Sequence, residues 1–149
     1  GVHQVDSIAF MTGYAPHRVH ARGDCRGRRV EVVTDVRSEW CSPDGDEAVM
    51  TAQFVGDAHH WREDIALHFE NADLLLRSCE VWLCQENQCR ELTGLAPNSS
   101  PVADFLATCR GKQTTAAPAE CGLLSALWTE AVLESLRTRD WSDIDSRKS

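Results

Sequence analysis

The stretch that decides the fold is Gly1-Val2-His3-Gln4-Val5-Asp6-Ser7-Ile8-Ala9-Phe10-Met11-Thr12-Gly13-Tyr14. Val2, Val5, Ile8 or Ala9, and Thr12 recur at steps of three and four residues, which lays them along one face of a helix. Gly13 and Pro16 supply the stop signal. The reading is a helix packed on its apolar side, with the imidazole of His3 in its opening turn. That such a helix starts with no lead-in points to a chain cut from something longer.

Outward from that helix the pattern changes to a period of two. Residues 18–21 are a short candidate strand, and 23–26 a polar, glycine-bearing loop. Over 29–36, Val30, Val32, Thr34 and Val36 alternate with Arg29, Glu31, Val33 and Asp35, predicting a strand with one covered face. Ser42-Pro43-Asp44-Gly45-Asp46 is a turn, because proline presets one dihedral and glycine supplies positive φ. The return run, 47–55, is apolar on both sides and predicts a central strand. Further strands are expected within 61–70, with Ile65, Leu67 and Phe69 on one face, and at 74–76, 81–84 and 89–92. Short connections between neighbours favour an antiparallel meander, since a parallel pair needs a long crossover.

Beyond residue 98 the helical period returns. Ser99 or Ser100 is the expected N-cap and Pro101 the first helical residue of a segment carrying the apolar stripe Val102, Phe105, Leu106 and Cys109. A longer helix is predicted over 120–137, with Leu123, Leu124, Leu127, Trp128, Ala131 and Val132 on its buried side. After it, Trp141 and Ile144 can pin the charged tail as an edge strand. The class is therefore α+β: a mostly antiparallel open-faced sheet with helices packed on one face, in a single domain over 1–149.

Composition excludes several functions. With 149 residues, 42% apolar content and a net charge of −8, the chain is long enough for a core without staples and lacks the basic face that a nucleic-acid partner needs. No apolar run approaches the ~20 residues that span a bilayer, and the N-terminus has no signal-peptide pattern, so no membrane partner is expected. Seven cysteines at irregular spacing read as reduced thiols of a cytoplasmic protein. The five-residue step Cys79, Cys84, Cys89 lacks the tight paired spacing of a zinc knuckle, and no metal is expected. Cys84 and Cys89 flank the turn-like 85–88, where they can face each other across a hairpin and oxidise incidentally.

One helix, a meander and two closing helices is the order found in the second domain of the Gfo/Idh/MocA oxidoreductases. Gly1-Val2-His3-Gln4-Val5-Asp6 resembles that family's G-[IV]-H-x-[IV]-D segment. Phe105-Leu106-Ala107-Thr108-Cys109-Arg110-Gly111-Lys112, Gly122-Leu123 and Glu130-Ala131-Val132-Leu133-Glu134-Ser135 resemble its closing pattern. The resemblance implies a C-terminal, dihydrodipicolinate reductase-like domain that binds substrate and forms a homo-dimer or higher homo-oligomer through its open sheet face, with Ala48 to Phe54 among the positions to be covered. It implies an NAD(P)-dependent dehydrogenase acting on a sugar, cyclitol or related polyol. NAD or NADP would be held by an N-terminal Rossmann domain, and this sequence contains no G-x-G-x-x-G turn to replace it. Alone, such a domain should bind no cofactor tightly and turn nothing over.

Within that resemblance His3 takes the catalytic role. Oxidising a secondary alcohol requires a base for the hydroxyl proton while hydride leaves carbon, and imidazole suits that task near neutrality. The family's partner carboxylate, in a D-x₃-H arrangement, would fall just before Gly1. Asp6, one turn after His3, is a candidate to hold the ring or meet substrate, although an acid in a first turn also answers the helix dipole. Arg62 is a candidate for a polar or anionic substrate, or a surface partner of Glu63 and Asp64. The adjacent His59 and His60 would point to opposite sides of a strand and are not expected to share an ion. The competing reading is a regulator or sensor of the same architecture, binding cofactor or a partner protein without turnover.

Overall fold

The computed structural model describes residues 2–29, 31–56, 59, 63–77, 80–95, 100–112 and 118–144, and these form two units, one from the two ends of the chain and one from its middle. The order is α1 (Val2–Thr12), β1 (Ala15–Asp24), β2 (Val33–Cys41), β3 (Glu47–Val55), β4 (Asp64–His68), β5 (Asp73–Arg77), β6 (Glu80–Gln85), β7 (Gln88–Glu91), α2 (Pro101–Cys109), α3 (Ala119–Thr138) and β8 (Ser142–Asp143). All strand pairs are antiparallel. The α+β class and the antiparallel pairing agree with the sequence reading.

The first unit holds α1, α3 and a sheet in the order β3-β2-β1-β8. Its core joins Val5 of α1, Val19 and Ala21 of β1, Val36 and Trp40 of β2, and Trp128, Ala131 and Val132 of α3. Gly13, at φ 72°, ends α1 in a left-handed turn, its N–H donating to the Ala9 carbonyl at 2.8 Å. Two helices on one face thus bury the even-numbered positions of β2 from Val36 to Trp40. Trp128 makes the joint specific: its indole N–H donates to the buried Ser38 hydroxyl at 2.9 Å, and Phe54 meets its ring edge-on at 6.3 Å.

β1 is the hub of this sheet, and it is longer than the four residues the sequence suggested. It pairs with β2 along its length but with β8 only at Arg18 and Val19. Beyond β8 the exposed backbone edge is closed by a helix instead, where the Ala21 N–H donates to the Ser135 hydroxyl at 2.9 Å and that hydroxyl donates to the Asp140 carbonyl at 2.5 Å. The tail strand is present as expected, and the Ile144 N–H donates to the His17 carbonyl.

Two expectations about β3 fail here. Among the described residues it is an edge strand, paired with β2 alone. Double-sided apolarity misled because Val49 and Val55, on the uncovered face, are about half exposed rather than packed. Phe54 does not lie on the open face either, since its alternation places it with Met50 against the helices.

The second unit contains α2 and a sheet in the order β4-β5-β6-β7. Its leucines, Leu74 to Leu76, are half-buried, and none of its described residues is fully buried. Ser100 caps α2 and Pro101 opens it, as the sequence indicated. The apolar stripe of α2 is not covered, for Val102 and Phe105 are about two-thirds exposed. The β6–β7 hairpin turns on Glu86 and Asn87, both at positive φ, which is the two-residue type I′ geometry. That turn sets Cys84 opposite Cys89 with Cα atoms 4.0 Å apart, and the two are joined as a disulfide. The expectation of reduced thiols is corrected for this pair by hairpin register, which places the two side chains on one face at close range. Cys25, Cys41, Cys109 and Cys121 are free thiols.

Candidate functional site

His3 lies in the first turn of α1 with its side chain exposed, and Asp6 follows one turn later on the same side of the helix. The structure ties Asp6 to the scaffold: Oδ1 accepts from the Ser125 hydroxyl of α3 at 2.6 Å, and Ser125 is itself buried. This bond locks the rotation of α1 against α3 and so fixes where the His3 ring emerges. Val5, fully buried between them, anchors the same turn from its apolar side. Beside His3, the side-chain oxygen of Gln4 is buried without a partner among the described residues, a free acceptor that no spacing rule singles out.

Arg62 and His60, with Trp61, lie outside the described residues. His59 is exposed. Among the described residues no group of three or more His, Cys, Asp or Glu side chains is gathered as for a metal ion. The carboxyl of Glu134 is held below its ordinary value by hydrogen bonding to the Arg137 guanidinium, but both are exposed near the end of α3 and away from His3.

A second polar assembly lies on the uncovered face of the first sheet. A shallow concavity of about 390 Å³ there is lined by His20 and Arg22 of β1, Asp35 and Arg37 of β2, and Thr51 and Gln53 of β3. Strand register arranges these in cross-strand rows, His20–Arg37–Thr51 and Arg22–Asp35–Gln53. The next row is Arg18–Glu39–Val49, where Arg18 pairs with Glu39 at 2.6 Å and stacks over Trp141 at 4.3 Å. The ring of His20 rests 5.5 Å from that same indole. Around the concavity this face is polar, with Val49 and Val55 the apolar residues of β3 on it, whereas the sequence suggested a more continuous apolar surface awaiting cover.

No helix is long and apolar enough to cross a membrane among the described residues. Comparison with protein-family models and with curated proteins returned no match. Solved structures do match in shape. UDP-N-acetylglucosamine 3-dehydrogenase from Acidithiobacillus ferrooxidans superposes with a TM-score of 0.78 at 12% identity over 92% of this chain and 45% of its own. Levoglucosan dehydrogenase, in complex with NADH and levoglucosan, gives 0.77 at 15% over 97% of this chain and 49% of its own. An oxidoreductase domain protein from Kribbella flavida gives 0.69 at 16% over 98% of this chain and 49% of its own. The chain spans about half the length of each, and over that half it has the C-terminal-domain fold of Gfo/Idh/MocA-type oxidoreductases.

Proposed function

We propose that this chain is the substrate-side domain of an NAD(P)-dependent dehydrogenase that oxidises a sugar, cyclitol or related polyol. The observation that carries the proposal is the placement of His3: exposed, at the mouth of a helix whose rotation is set by the Asp6–Ser125 bond, in a fold shared with sugar dehydrogenases. In this reading His3 accepts the hydroxyl proton of the bound alcohol. Asp6 holds its helix in register. NAD or NADP would be bound by a second domain, and when bound it takes up the hydride. Arg62 remains a candidate for substrate contact. Self-association through the uncovered sheet face belongs to the same proposal, with Val49 and Val55 as its apolar components.

The test is turnover of the full-length protein on a polyol panel, with and without His3→Ala. The catalytic reading expects kcat to fall by about 10²–10⁴-fold with substrate binding retained. Unchanged turnover would refute the role of His3, and no turnover by the wild type on any member of the panel would favour the regulatory reading.

A further inference from the structure

We propose that the concavity on the uncovered face of the first sheet is a binding site for a tetrahedral oxyanion, phosphate or the phosphate group of a monoester. It requires no hydride chemistry, but it shares its face with the self-association proposed above, so the test below reads the two separately.

Charge is distributed unevenly over the three cross-strand rows. In the row Arg18–Glu39–Val49 the cation has its own carboxylate at 2.6 Å. In the row Arg22–Asp35–Gln53 the carboxylate is present, and its Oδ1 is engaged by the Gln53 amide at 2.7 Å. The row between them, His20–Arg37–Thr51, contains no carboxylate. Arg37 forms no ion pair with any described residue, and the same is true of Arg22. Residues directly opposite on neighbouring strands have Cβ atoms ~5 Å apart and diagonal ones ~7–8 Å, so both guanidinium groups and the His20 ring reach one point over the middle row. Guanidinium groups placed so close repel one another, and the Asp35 carboxylate, directly opposite Arg22 and engaged by Gln53, offsets this only in part. An anion at that point relieves the repulsion.

The donor chemistry selects the class. Two planar guanidinium groups offer paired N–H donors suited to phosphate oxygens, and the Thr51 hydroxyl and the imidazole N–H add single donors from the other sides. Trp141, braced by Arg18, closes one end of the row and holds the His20 ring. The Asp35 carboxylate, directly opposite Arg22 and two residues from Arg37 on β2, lines the same concavity and restricts it to a small anion.

Inorganic phosphate titrated into the protein and followed by ³¹P NMR tests the proposal, with glucose 6-phosphate as the monoester arm and sodium chloride at matched ionic strength as control. Saturable binding in the millimolar range is expected, weakened about tenfold by Arg37→Gln and severalfold by Arg22→Gln. Both positions are exposed, and an unchanged circular dichroism spectrum checks that the variants fold. Sedimentation of the same samples reads self-association, so loss of anion binding and loss of the sheet-face contact are told apart. Tighter binding of the monoester than of phosphate would identify the phosphate of a small metabolite as the ligand. The proposal is overturned if phosphate and chloride act alike, if binding never saturates, or if neither arginine variant weakens it.

Discussion

Replacing Ser135 with alanine removes one oxygen and should cost more than almost any surface change in this protein. The hydroxyl is fully buried and serves two backbone groups, accepting from the Ala21 N–H at 2.9 Å and donating to the Asp140 carbonyl. The cavity left is smaller than a methyl group, so the loss is one of hydrogen bonding rather than packing. Ala21 is 1% exposed and, among the described residues, has no strand on that side, because β8 ends its pairing at Val19. Its N–H is then orphaned away from water, at a cost of about 1–3 kcal/mol, while the Asp140 carbonyl loses about 0.5–1.5 kcal/mol. Together these give about 1.5–4.5 kcal/mol, a large share of the 5–15 kcal/mol typical of a domain. Urea unfolding followed by tryptophan fluorescence reads this as a midpoint lowered by about 1 M or more with the slope unchanged. A loss below about 0.5 kcal/mol would show that β1 does not depend on α3 to close its edge, and the account of the hub strand would fall with it.

Phe54→Asp separates the two faces of β3. On the observed geometry it sets a carboxylate against Trp128 in the core and unfolds or severely destabilises the first unit, by roughly 3 kcal/mol or more, in thermal denaturation. A folded variant that merely changes oligomeric state would restore Phe54 to the open face. Alkylation under denaturing conditions should leave Cys84 and Cys89 unmodified until a reductant is added. Changing both to serine should lower stability by no more than about 2 kcal/mol, because the loop they close has a sequence separation of 5. Alkylation of both without reductant, read by mass spectrometry, would contradict the disulfide.

What was legible in the sequence is what local physics controls. The three-and-four spacing of Val5, Ile8 and Ala9 specified α1, Gly13 its end, and Ser100-Pro101 the start of α2. The Pro43-Asp44-Gly45 turn delimited β2 and β3, since dihedral preferences act within a few residues. His3 and Asp6 were legible as a pair, one turn apart on α1.

Partners distant in the chain were not. That Asp6 is held by Ser125, that Ala21 is closed by Ser135, and that Ser38 receives the Trp128 indole each join residues about 90 or more positions apart. Strand alternation shows that β3 has two faces but not which one meets the helices, so only packing could assign Phe54 to the core and leave Thr51 and Gln53 beside Arg37. The cationic row itself is a product of register, because single residues on three strands become neighbours only once the strands pair.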